Sequence, residues 1–139
     1  MQDNHDNEAG NRRQFLKCMA WAGAGTLWLM KGGVLHAQPF GDGTPTPSAA
    51  DASFSFAQIS DSHIGFHKEP NMDVVGTLRA SVARINAQAT RPDFVLHTGD
   101  LTHLSKPEEF ATLAGVMQDS HARKVFYVPG EHDVIGDNG

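Results

Sequence analysis

Three short clusters carry the residue types that do chemistry in this chain: Asp61-Ser62-His63, Gly99-Asp100 and Gly130-Glu131-His132-Asp133. Carboxylates and imidazoles together make a site for a metal ion. Mixed oxygen and nitrogen donors suit manganese, iron or zinc better than calcium or magnesium. Asp61 and His63 stand two residues apart. In an extended segment such positions face one side, so a carboxylate oxygen and an imidazole nitrogen can hold the same cation. Asp100 has two oxygens and can bridge two cations. Gly99 removes a side chain where the backbone turns or an ion comes close. Gly130 is expected to turn the chain in the same way ahead of Glu131 and His132. Taken singly, each cluster reads more readily as a surface loop or turn. Their succession in the chain is what points to a site.

The elements around the clusters support that reading. Phe54 to Ile59 alternates and is aromatic-rich, as a strand does. Asn71 is placed to cap a helix running to about Ala89, with Val74, Val75, Leu78, Val82 and Ile85 at helical spacing. Arg91-Pro92 ends it. Asp93 to Thr98, with Phe94-Val95-Leu96 at its centre, is a second strand. Ser105 and Glu108 form a capping-box signature around Pro107. The helix that starts there carries Phe110, Leu113 and Met117 and ends near His121. Lys124 to Val128 is a third strand, closed by Pro129-Gly130. The order β-α-β-α-β predicts an α/β fold with a parallel sheet, flanking helices and right-handed crossovers. In such sheets ligands bind outside the carboxyl ends of the strands, and all three clusters fall there. Of the other histidines, His97 lies within the second strand and reads as packed. His67, His103 and His121 read as solvated, with His103 close enough to Asp100 to line a cleft.

The chain has 139 residues and a formal net charge of -5, which argues against a nucleic-acid backbone as partner. Its one cysteine, Cys18, excludes an internal disulfide framework and a cysteine zinc site, whereas eight histidines leave room for imidazole ligands. The N-terminus reads as an export signal. Arg12-Arg13-Gln14-Phe15-Leu16-Lys17 precedes an apolar stretch from Cys18 to Met30, and Leu35-His36-Ala37 supplies a small-residue cleavage site. The stretch is short of the roughly 20 residues that span a bilayer, so no stable membrane span is expected. The basic pair with Phe-Leu-Lys behind it resembles a twin-arginine signal, with Asn11 where Ser or Thr usually stands. That resemblance implies the twin-arginine export machinery as a partner and the bacterial periplasm as destination. Cleavage after Ala37 would remove His5, Cys18 and His36. Residues 38–52, rich in Pro and small polar residues, read as a linker, and the folded part is expected over 53–139.

Ile59-Ser60-Asp61-Ser62-His63, His97-Thr98-Gly99-Asp100-Leu101-Thr102 and Val128-Pro129-Gly130-Glu131-His132-Asp133 resemble the first three blocks of the calcineurin-like metallophosphoesterases. The wording is most similar to the cyclic-nucleotide phosphodiesterase branch. The resemblance implies the parallel βαβαβ half of an αββα sandwich and two divalent or trivalent metal ions (Mn, Fe or Zn). It implies a small phosphate-ester substrate, mono- or diester, attacked by a metal-bound hydroxide in line with the leaving oxygen. Asp61 and His63 would hold the first metal, Asp100 would bridge both, and Glu131 would face the second. His132 would contact the phosphate and stabilise developing charge. Asp133 would orient His132 through a hydrogen bond.

Two departures bear on that reading. Glu131 stands where the family places an Asn. The added charge should hold a cation more tightly while repelling phosphate, so metal binding is expected to persist with turnover altered or reduced. The family's later His and Gly-His-x-His block do not occur before Gly139. This implies the N-terminal part of a longer enzyme, with an uncovered apolar sheet face and little metal binding or hydrolysis in isolation. The alternatives to an exported phosphoesterase are a noncatalytic metal- or phosphate-binding protein and an inactive fragment.

Overall fold

The computed structural model describes residues 25–39, 52–89 and 91–136. Residues 1–24, with Arg12, Arg13 and Cys18, and most of the expected linker lie outside these. In chain order the elements are β1 (Thr26–Lys31), β2 (Val34–Pro39), β3 (Phe54–Ser60), α1 (Val74–Asn86), β4 (Phe94–Gly99), α2 (Pro107–Met117) and β5 (Val125–Pro129). A short 3-10 turn follows over Glu131–Asp133. The five strands form one sheet in the order β2-β1-β3-β4-β5. β3, β4 and β5 are parallel, as the alternation of strands and helices predicts.

One face of the sheet carries the core. Ala57 and Ile59 of β3 and Val95 of β4 meet Val74, Leu78, Val82 and Ile85 of α1 and Leu113, Val116 and Met117 of α2. Fully burying such side chains stabilises by roughly 1.5–3 kcal/mol each. The opposite face carries an aromatic row across four strands. Trp28 stacks on Phe56 at 5.9 Å, Phe56 on Phe94 at 4.9 Å, and Phe94 meets Phe126 edge-on at 5.4 Å. Phe126 and Val128 are about half exposed there, in line with the expected apolar face. Among the described residues no helix is long and apolar enough to cross a membrane.

Both helix starts differ from expectation by one or two residues, for a local reason. Asp73, rather than Asn71, caps α1, its Oδ1 accepting from the Gly76 amide at 2.8 Å. Asn71 acts one step earlier and accepts from the Asp73 amide. At α2 the N-cap is Lys106, not Ser105, and Glu109, not Glu108, reaches back to the Lys106 and Leu104 amides. Pro107 fixes this register, because it belongs at the first helical position, where no amide is needed. α2 stops at Met117, short of His121.

The sheet also takes in residues 26–39, which the sequence reading assigns to the export signal and the start of the linker. Gly32 and Gly33, both at positive φ, form the two-residue turn that joins β1 to β2. β1 then pairs antiparallel with β3, Leu27 opposite Ala57 and Leu29 opposite Ser55. Leu27 and Leu29 are buried while β2 is mostly exposed. The Trp28 indole donates to the Gln58 side-chain oxygen at 3.2 Å.

Candidate functional site

The register of the parallel strands brings the clusters level. Ser60 is opposite Thr98, and Gly99 is opposite Pro129, so the chain leaves β3, β4 and β5 at one rim. Beyond the strands the first two loops stay side by side. The Asp61 amide donates to the Thr98 carbonyl, the His63 amide to the Asp100 carbonyl at 2.9 Å, and the Ile64 amide to the Leu101 carbonyl. Ser62 Oγ donates to that same Leu101 carbonyl.

Asp61, His63 and Asp100 converge as expected, but by another route. Neither Asp61 nor His63 is extended: their φ values are +54° and +43°, a region that costs non-glycine residues free energy and recurs at ligand sites. The chain turns left-handed at both residues, and this brings both side chains to Asp100. One donor atom from each of the three lies within 4.8 Å of the others, and His63 Nε2 is 3.7 Å from Asp100 Oδ2. A second such set joins Asp100, Glu131 and His132. The Asp100 carboxylate belongs to both, where a bridging ligand must stand.

The two glycines serve this convergence differently. Gly99 has φ +75°, and a Cβ there would stand 2.6 Å from Asp61 Oδ1, so it supplies both the turn and the room. Gly130 has φ -100° and is not a turning residue, contrary to the sequence expectation. Its lack of a side chain instead admits the Asp100 carboxylate and backbone, which a Cβ would strike. Space that only glycine leaves open around two carboxylates, together with strained backbone at two donors, fits a cation site built from Asp61, His63, Asp100 and Glu131.

His132 is held from two sides. Its amide donates to Asp100 Oδ1 at 2.9 Å, and its ring Nδ1 lies 2.7 Å from the His103 carbonyl. A carbonyl only accepts, so Nδ1 carries the proton and Nε2 is the nitrogen left for chemistry. This bond, with the carboxylates of Asp100, Glu131 and Asp133 behind it, raises the His132 pKa against the opposing effect of burial. The expected bond from Asp133 to the His132 ring is therefore replaced by one from the ring to His103. The buried Asp133 carboxylate accepts from the amides of Leu101, Thr102 and Gly130 and from the Thr102 hydroxyl, at 2.7 to 2.9 Å. Burial pushes its pKa up, but these hydrogen bonds outweigh it and hold the carboxyl below its ordinary value. Asp133 thus ties the third loop to the second and acts on His132 through the backbone.

The residue underweighted by sequence reasoning is His103. Its ring stacks on His132 at 5.2 Å and meets Phe66 edge-on at 5.2 Å. Burial, then the neighbouring His132 and His63, lower its pKa. The sequence signal was its position three residues past Asp100. His97 is fully buried, as expected of a packed residue, and burial lowers its pKa to about 4.

A search of curated proteins returned no match. The family model for calcineurin-like phosphoesterases matches residues 54–139, more than half of the sequence and the whole of the rim. This chain belongs to the calcineurin-like phosphoesterase family.

Proposed function

We propose that the chain is a metal-dependent phosphoesterase acting on small phosphomonoesters or phosphodiesters, its site the rim formed by β3, β4 and β5. The observation that carries this reading is the gathering of Asp61, His63, Asp100, Glu131 and His132 into two overlapping donor sets that share the Asp100 carboxylate. Asp61, His63 and Asp100 would hold one Mn, Fe or Zn ion, and Asp100 with Glu131 a second. Ions bound there would neutralise phosphate charge and lower the pKa of water at the site. His132 contributes through Nε2. With Nδ1 anchored on the His103 carbonyl, Nε2 is the ring atom left to meet a phosphate or leaving oxygen.

Hydrolysis of bis-p-nitrophenyl phosphate and p-nitrophenyl phosphate with added Mn2+ tests the reading. Turnover that requires Mn2+ and disappears in D100N supports it. Absence of both turnover and Mn2+ binding in wild type refutes it, whereas Mn2+ binding without turnover leaves the noncatalytic reading below.

A second reading, retained metal binding without turnover, is favoured by Glu131. This exposed carboxylate is close to Asp100 and His132, where it opposes an incoming phosphate. E131N separates the two. A gain in turnover supports the tuned-down enzyme, whereas tight metal binding with no turnover in either form supports the binding protein.

Export to the periplasm by the twin-arginine machinery belongs to the same proposal and rests on Arg12-Arg13 and the apolar stretch behind them. Residues 1–37 fused to a reporter should deliver it to the periplasm, and R12K/R13K should abolish delivery.

A further inference from the structure

We propose that His63, His103 and His132 form a second, all-imidazole seat for a borderline transition ion such as Zn2+, Ni2+ or Cu2+. It is distinct from the carboxylate-rich seat of Asp61, His63 and Asp100.

Four observations carry it. One ring nitrogen from each of the three histidines lies within 4.8 Å of the other two. Three nitrogens on a tetrahedral ion with bonds of 2.0–2.1 Å stand about 3.4 Å apart, so side-chain rotation of roughly an ångström closes the set. The rings are already arranged around one point: His63 meets His132 edge-on at 5.2 Å and His103 at 6.1 Å, while His103 and His132 stack. The carbonyl bond to His132 Nδ1 fixes its tautomer and leaves an Nε2 lone pair. Metal-binding histidines are oriented by this kind of contact. Finally, His103 Nδ1 is buried without a hydrogen-bond partner. Such a group calls for an explanation, and a nitrogen placed to meet an ion provides one. His103 is itself fixed by its amide bond to the Ile64 carbonyl at 2.9 Å and by the Phe66 ring.

Imidazole-only donation favours ions late in the first-row series over Mn2+. The two seats share His63, whose neutral ring offers a lone pair to one ion at a time. Occupancy of the imidazole seat therefore empties the carboxylate seat of a ligand and withdraws His132 Nε2 from phosphate. On the reading given above, this makes Cu2+, Ni2+ or excess Zn2+ inhibitors of Mn2+-supported turnover.

Electron paramagnetic resonance of the full chain, free of any affinity tag, with one equivalent of Cu2+ tests the seat. The expected spectrum shows superhyperfine coupling to three nitrogens in wild type and two in H103A. H103A should also retain Cu2+ at least tenfold more weakly. H103N is the second variant should H103A fail to show the wild-type circular dichroism. A wild-type spectrum with fewer than three nitrogens, or an unchanged nitrogen count in H103A or H103N, overturns the proposal. The free Mn2+ signal, recorded on the same proteins, separates this outcome from failure of the phosphoesterase reading. D61N should weaken Mn2+ binding and keep the three-nitrogen Cu2+ spectrum, and H103A should do the reverse. Mn2+ binding indifferent to D61N counts against the carboxylate seat and leaves the imidazole seat standing on its own spectrum.

Discussion

The rim and the β1–β2 hairpin are opposite cases of how residues acquire a place in this fold. At the rim, polar side chains are held by bonds that each need a particular atom. Asp133 alone takes four donors, and Gly99 and Gly130 are required by the carboxylates that fill their missing side chains. In the hairpin the contributing groups are interchangeable. Leu27 and Leu29 add buried area, Trp28 adds a ring to the aromatic row, and the turn needs only residues that tolerate positive φ. The rim specifies geometry, whereas the hairpin contributes area along one edge of β3. Substitutions at the rim should therefore be specific and large, and those in the hairpin graded by volume.

The largest effect is expected at Asp100. D100N removes the shared charge from both donor sets while keeping a group able to accept from the His132 amide. Mn2+-dependent hydrolysis should fall by about 10²-fold or more, with the melting temperature little changed. A D100N protein that retains wild-type turnover would break the claim that the rim is built around this carboxylate. Next comes D133A, which leaves the Leu101, Thr102 and Gly130 amides without their buried acceptor. A loss of roughly 3–5 kcal/mol is expected in urea unfolding, together with lost turnover, because the third loop comes free.

Sequence could show the rim because its chemistry is written in residue types. Asp-x-His, Gly-Asp and Gly-Glu-His-Asp name their donors, and the alternation of strands and helices predicts that they share one end of a parallel sheet. What sequence could not show was how they converge. Asp61 and His63 stand two residues apart, yet both turn left-handed instead of running extended. Gly130 looked like a turn and is a clearance. His103 carried no cue beyond its nearness to Asp100, because its role depends on a carbonyl and a stacking partner 29 residues away. The hairpin was illegible for a different reason. A short apolar run has no periodicity that separates a strand from the apolar part of an export signal, and Leu-Trp-Leu-Met satisfies both. The described residues place it in the sheet, while the basic pair that prompted the export reading lies outside them.

Burial keeps His97 neutral in the fold, its pKa lowered from 6.5 to about 4 despite the raising influence of Asp133 and Asp61. The unfolded chain takes up this proton near 6.5 and the folded chain only near 4. Stability should therefore fall as pH drops across that window, by roughly 3 kcal/mol in all, and this contribution should level off below it. Urea unfolding at pH 7 and pH 4.5 reads the change, and H97L should flatten the slope. A smaller effect is expected in the hairpin. L29A should cost about 2–3 kcal/mol through lost burial without altering Mn2+ affinity. If L29A costs nothing, β1 is not part of the stable sheet and the contrast between the two regions falls.

The central claim, that donors from separate loops meet around a shared cation, is tested most directly by anomalous diffraction from crystals of the chain soaked in Mn2+. The account predicts a manganese peak bounded by the side chains of Asp61, His63 and Asp100. Peaks confined to other surfaces, with those three side chains turned away from one another, would contradict it.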